Sequence, residues 1–346
     1  LTRYPITVEQ KLLLDEMNIG GFYTSQRTVR QYPRKIGGNL LGSINEVTKA
    51  KIERDNSYSM GDYIGMEGLE LAYEDVLRGE KGLVLQDIYA PRADRNTILK
   101  EPVAGKSIVC TIDAELQQLA EELMKDKVGA VVAIEPSTGE ILTMVSAPTF
   151  NPDELVIGKD RGNNYAREIN NPRMPLWNRA VKSRYPPGST FKLVSLLALV
   201  EDCGLPITQQ YQTYEGRRVQ VGGARGPMVQ DDHNIGGMID MKTATAQSSN
   251  VYFADAIYQN YKNDPKRYIN FLSHLYLDQR YLDFLHHLAL DRSVGFDEWG
   301  EKRPLILDVK NWNAHTLPNM GYGYAIEMPP IRILTLYNAV ANGGRM

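Results

Sequence analysis

The residues that follow Lys192, Leu193-Val194-Ser195-Leu196-Leu197-Ala198-Leu199-Val200, are apolar on nearly every side of a helix. That distribution predicts a buried helix rather than a surface one. The run is far shorter than the roughly 20 residues needed to span a bilayer. Elsewhere the pattern changes period. Residues 8–17 set Val8, Leu12 and Leu13 among charges, which predicts a short amphipathic helix. Residues 67–77 read as a helix ended by Gly79. Ser107-Ile108-Val109-Cys110-Thr111-Ile112 reads as a strand, and Asp113 is placed to cap a helix over 114–124. Two apolar runs around Pro136-Ser137-Thr138-Gly139 predict a hairpin over 128–146. A long loop rich in Asn, Pro and Arg leads to Tyr185. Residues 204–240 are polar and Gly-rich, predicting irregular structure with short strands. Residues 241–257 are helical in pattern with a break at Gln247 to Asn250, and 264–320 alternate short helical patterns with loops.

The buried helix carries the candidate chemistry. Ser189-Thr190-Phe191-Lys192 follows Tyr185-Pro186-Pro187-Gly188, and no other Ser has Lys three residues later. Pro-Pro-Gly breaks the preceding structure, so a helix should start near Ser189. Residues three apart share a helical face, which makes the hydroxyl and the amine neighbours. A lysine rooted in a buried helix loses hydration, and its pKa falls. A partly neutral amine beside a hydroxyl is the pairing that activates serine for covalent chemistry. A bare S-x-x-K is more often an N-cap serine and a snorkelling lysine; the Pro-Pro-Gly entry and the apolar run favour the chemical reading here.

Composition narrows the field without deciding it. A chain of 346 residues suits two domains. The net charge of −3, with Lys and Arg scattered, gives no reason to invoke nucleic acid. Cys110 and Cys203 are too few for a disulfide framework, and the five His show no metal spacing. No metal and no cofactor is expected. Gly222-Gly223-Ala224-Arg225-Gly226 lacks the G-K-[ST] ending of a phosphate loop, and there is no G-x-S-x-G elbow.

Tyr-Pro-Pro-Gly-Ser-Thr-Phe-Lys resembles the active-site start of the penicillin-binding proteins, whose motif order is S-x-x-K, an S-x-N element and K-T-G. Ser248-Ser249-Asn250 matches the second element in the right order, whereas Ser43-Ile44-Asn45 fits only the bare pattern. Asn178-Arg179-Ala180 and the segment 129–146 are also similar to the family. Upstream, Gly65-Met66-Glu67-Gly68-Leu69-Glu70, Ala72-Tyr73-Glu74 and Leu77-Arg78-Gly79 resemble the non-catalytic pedestal of the class B, monofunctional members. No K-[ST]-G occurs; Lys242-Thr243-Ala244 is a near miss that precedes Ser248 and reads as helical. The tail resembles the family segment just upstream of K-T-G, so the C-terminal part of the catalytic domain is expected to be missing.

The resemblance implies an α+β fold: an elongated pedestal over 1–105, then a transpeptidase domain over 106–346 with an antiparallel sheet flanked by helices. It implies a D,D-transpeptidase that cross-links peptidoglycan stem peptides and is acylated by β-lactam antibiotics. Ser189 is the implied nucleophile, Lys192 its base, Ser248 a proton relay and Asn250 a substrate-binding residue. The protein is then expected on the extracytoplasmic face of the bacterial inner membrane, held by an N-terminal anchor absent from this chain. Residues 231–250 and 328–342 look more like the division-type (septal) members, which implies a membrane glycan polymerase and divisome proteins as partners. An elongation-type transpeptidase, a β-lactam sensor and a serine β-lactamase are the alternatives.

Overall fold

In the computed structural model, residues 6–17, 19, 29–86, 96–156, 160–214, 216, 218–261, 272–296 and 300–345 are described. They mix helices with antiparallel hairpins, in two compact units that divide at Asn178/Arg179. No helix among the described residues is long and apolar enough to cross a membrane.

The first unit takes its order from a capped helix on a hairpin. Asp113 accepts from the Glu115 and Leu116 amides at 2.9 and 3.0 Å, and the helix it caps runs Ala114–Met124. Gly129–Ile134 pairs antiparallel with Ile141–Ala147, with Gly129 opposite Ala147 and Ala133 opposite Thr143. Gln117 fastens helix to strand. Its buried amide oxygen accepts from Thr143 Oγ1 at 2.6 Å and Met144 N at 2.9 Å, while its Nε2 donates to Met144 O at 3.0 Å. Each buried polar atom is thereby satisfied, as burial requires.

Earlier in the chain, Ile44–Glu46 pairs with Tyr63–Gly65, and Leu83–Gln86 with Asn96–Lys100. Glu70 is buried and gathers this region, accepting from Tyr32 Oη at 2.8 Å and from Arg30 Nε at 2.8 Å. The predicted N-terminal helix forms as Val8–Glu16, closed by a capping box between Thr7 and Gln10. None of its residues is buried, so its apolar positions serve no core.

Three expectations fail in this unit, the first being the long loop toward Tyr185, which carries the helix Arg161–Ile169. Residues 107–112 are not a strand. The nearest backbone tie is Asp113 N to Leu142 O at 2.9 Å, and Val109 is 99% exposed. Apolar β-branched residues supply propensity only; a strand needs a partner ladder. The single helix expected over 67–77 is two, Gly68–Ala72 and Glu74–Leu77, because Tyr73 leaves helical dihedrals at φ −115°, ψ 23°.

The second unit is built on the helix Lys192–Leu197, which continues as a π-turn over Ala198–Asp202. Val194, Ala198 and Leu199 are fully buried against Tyr252, Phe253, Ile257 and Tyr261 of the helix Asn250–Tyr261. The predicted buried helix is therefore observed. Tyr261 and Tyr281 meet edge to face at 4.8 Å, a favoured aromatic geometry. Short strands Gln210–Thr213 and Gly237–Asp240 pair within the Gly-rich region. Leu272–His287 is one long helix instead of the short pieces expected, since Tyr281, Leu282 and Leu285 bury one stripe into the core. Residues 264–271 and 297–299, also within the stretch expected to alternate, lie outside the described residues.

Candidate active site

A 3-10 turn, Gly188–Phe191, leads directly into the helix Lys192–Leu197. The turn leaves Ser189 exposed to solvent while Phe191 and Lys192 are buried; Lys192 is only 3% exposed. The N-cap of this turn is Pro187, so Ser189 lies inside it and caps nothing. That removes the plain N-cap reading of the motif. The turn is held from several sides. Gly188 N donates to Gly323 O at 3.0 Å, Thr190 Oγ1 to Pro187 O at 2.7 Å, and Tyr337 Oη to Thr190 O at 2.8 Å.

The second motif sits in a break between helices, where the sequence predicts one. Met241–Ala246 ends, Ser248 takes a left-handed φ of 53°, and Asn250–Tyr261 begins. Left-handed backbone is rare outside glycine and is held only where surroundings enforce it. It brings both ends of the motif to the lysine. Lys192 Nζ donates to Ser248 O at 2.5 Å, to Ser248 Oγ at 3.0 Å and to Asn250 Oδ1 at 2.7 Å. Asn250 Nδ2 donates to Gln230 O at 3.0 Å, which fixes the side-chain amide with its oxygen toward the lysine. Burial pushes the Lys192 ammonium down to about 8, and the charges of Asp231 and Asp232 oppose part of that fall.

Lys192, Ser248 and Asn250 thus form one hydrogen-bonded group. Ser189 stands one turn away, and among the described residues none hydrogen-bonds its hydroxyl. The rival Ser43-Ile44-Asn45 belongs to the first unit, where Ile44 opens a strand. Lys242-Thr243-Ala244 lies inside a helix. No cluster of three or more His, Cys, Asp or Glu side chains that could hold a metal occurs among the described residues.

Sequence reasoning overlooked the support beneath the second motif. Buried Asp231 accepts from Asn250 N at 2.5 Å and Val251 N at 3.0 Å, and from Ser249 Oγ at 3.0 Å. Ser249 in turn accepts from Tyr252 N at 3.0 Å, an N-cap bond three residues on. A serine before a helical run signals that cap locally, but nothing near Asn250 signals Asp231. The aspartate of the 231–250 stretch, which resembles the division type, does the general work of starting a helix.

Residues 129–346 match the penicillin binding protein transpeptidase domain, and residues 5–110 match the penicillin-binding protein dimerisation domain. The chain is 39% identical over 201 residues to the peptidoglycan D,D-transpeptidase MrdA of Acinetobacter baumannii, a match covering 53% of this chain and 29% of that protein. Its fold is similar to Pseudomonas aeruginosa PBP2, solved in complex with WCK 5153: TM-score 0.72, 26% identity, 93% of this chain and 66% of that one. It is also similar to a chain of a peptidoglycan synthase complex described as coordinating polymerization and crosslinking, with TM-score 0.77, 26% identity, and 97% and 59% covered. The chain therefore spans well under half of the curated relative it matches. The relatives give the division-type expectation no support. A mixed α/β fold, a match from residue 129 through the whole second unit and a separate match upstream agree on one assignment: this chain belongs to the penicillin-binding proteins of class B, as a member of the transpeptidase family.

Proposed function

We propose that the protein is a peptidoglycan D,D-transpeptidase working through an acyl-serine intermediate. The observation that carries this reading is the buried Lys192, held by Ser248 and Asn250 directly behind an exposed Ser189. In the first step Ser189 Oγ attacks the carbonyl of the penultimate D-Ala of a stem peptide and gives its proton to Lys192. The Ser189 backbone N–H donates to the developing oxyanion. The C–N bond to the terminal D-Ala then breaks, and Ser248 passes a proton from Lys192 to the leaving amine. Asn250 holds the substrate backbone amide. An amine from a neighbouring stem attacks the acyl-enzyme, forms the cross-link and releases Ser189. A β-lactam enters the same first step and stays attached.

The elongation type replaces the division type as the proposed subclass, because the MrdA name of the curated relative belongs to it. A membrane glycan polymerase is the proposed partner, supported by the synthase complex among similar structures. The proposed place of action is the extracytoplasmic membrane surface. Residues 106–346 are proposed as the catalytic domain and 1–105 as the pedestal, in keeping with where the two family matches fall.

The test is intact mass after incubation with benzylpenicillin, with Ser189→Ala alongside. A long-lived adduct of one penicillin, absent from the variant, is expected. An adduct that survives Ser189→Ala refutes the nucleophile, and rapid release of penicilloate points to a β-lactamase instead.

A further inference from the structure

We propose that Asp231 is a positioning residue for acylation: by fixing the start of the helix Asn250–Tyr261 it holds Ser248 and Asn250 against Lys192. The inference rests on the acyl-serine reading above and assigns a part of the machinery that the motifs do not contain.

The geometry carries it. Asp231 is 7% exposed, and its Oδ1 receives two successive backbone amides, Asn250 N and Val251 N, while both its oxygens take Ser249 Oγ. The first N–H groups of a helix have no partner within it, and here two consecutive ones converge on this carboxylate. The carboxylate therefore dictates where that turn begins. Ser249 is 0% exposed and relays the constraint to Tyr252 N. With Ser249 and Asn250 pinned, the chain arriving from the helix Met241–Ala246 must close over Gln247 and Ser248, and Ser248 does so at φ 53°. A serine leaves that conformation readily unless its neighbours are fixed. The left-handed turn is what points both Ser248 O and Ser248 Oγ at Lys192 Nζ. On the other side of Asp231, the adjacent Gln230 O receives Asn250 Nδ2 and so orients the amide that faces the lysine. One buried carboxylate and its neighbouring carbonyl thus set the three acceptors of the lysine. Asp231 touches neither Ser189 nor the reacting carbonyl and acts through Ser248 and Asn250, so its effect should fall mainly on the rate of acylation, with a smaller weakening of penicillin binding through Asn250.

The experiment measures the first-order acylation constant and the dissociation constant of a fluorescent penicillin on the full-length protein, with melting curves to establish folding. Asp231→Ala should lower the acylation constant about 10- to 100-fold, the penalty of misplacing catalytic groups by about 1 Å, with a smaller rise in the dissociation constant through Asn250. Asp231→Asn keeps an acceptor oxygen and should restore most of that loss. A folded Asp231→Ala protein that acylates at the wild-type rate overturns the proposal, as does an equal loss in Asn and Ala variants. Should Asp231→Ala not fold, Ser249→Ala removes one link of the same chain while leaving the carboxylate. A loss of roughly 3- to 10-fold is then expected from a single missing hydrogen bond, and a wild-type acylation constant overturns the proposal. Wild-type protein that takes up no penicillin at all refutes the acyl-serine reading itself, a result distinct from either.

Discussion

Gly323 stands against the back of the nucleophile turn, and replacing it with alanine should disable acylation. A Cβ built at Gly323 lies 1.9 Å from Gly188 O, and real Cβ contacts essentially never fall below 3.0 Å. The two backbones must therefore separate by at least the difference, about 1.1 Å. The obstructing atom is a main-chain carbonyl, so no side-chain rotation relieves it. Gly188 precedes Ser189 directly, and its N–H bond to Gly323 O, 3.0 Å long, lies in the path of the separation. Gly323 also sits at φ +88°, where an L-residue is strained by about 1–3 kcal/mol. A displacement near 1 Å at the reacting group costs about 100-fold in rate. Gly188→Ala is the internal control. That residue is also left-handed, at φ +55°, but nothing lies within 4 Å of its new Cβ. It should lose about 1–2 kcal/mol of stability and keep most of its acylation rate. Stopped-flow acylation by a fluorescent penicillin, scaled to the folded fraction from circular dichroism, measures both. Wild-type acylation by Gly323→Ala, with Gly188→Ala the more impaired, would refute the reasoning.

Three further outcomes are expected. Lys192 is lowered to about 8 by burial, so if its free amine takes the Ser189 proton, acylation should rise about tenfold per pH unit below that value and level off above it; a profile flat from about pH 6 to 9 removes Lys192 as the base. Asp113→Ala loses both amide bonds of its cap and should cost about 1 kcal/mol, read as a lower urea midpoint; an unchanged midpoint means the helix start is held by other contacts. Glu70→Ala strands the buried Tyr32 hydroxyl and Arg30 at about 1–3 kcal/mol, and adding Tyr32→Phe should recover part of that loss; a double variant weaker by the full sum argues against coupling.

What the sequence revealed was local. The Pro-Pro-Gly entry, the buried run after Lys192, the helix break before Asn250 and the Asp113 cap each announce themselves within a few residues, because sterics and capping act at that range. The missed features depend on remote partners. Residues 107–112 have the composition of a strand but no ladder to join, and Tyr73 splits a helix whose pattern continues through it. Asp231 reaches Asn250 across 19 residues of chain, a spacing no periodicity encodes. Gly323 is legible as a glycine but not as the back wall of a serine turn 135 residues earlier, where Gly188 lies.

The three oxygens around Lys192 differ in what they can give back. An ammonium carries three hydrogens, and Ser248 O, Ser248 Oγ and Asn250 Oδ1 can take one each. Once the amine is neutral it has two hydrogens and a lone pair. A carbonyl and a carboxamide oxygen can only accept, so they keep the two hydrogens. The hydroxyl alone can rotate and offer its proton to the lone pair. Ser248 is therefore the one member of the group that can both take a hydrogen from Lys192 and give one back. Of these three oxygens, Ser248 Oγ is thus the one through which a proton that Lys192 has taken from Ser189 can travel on to the leaving amine.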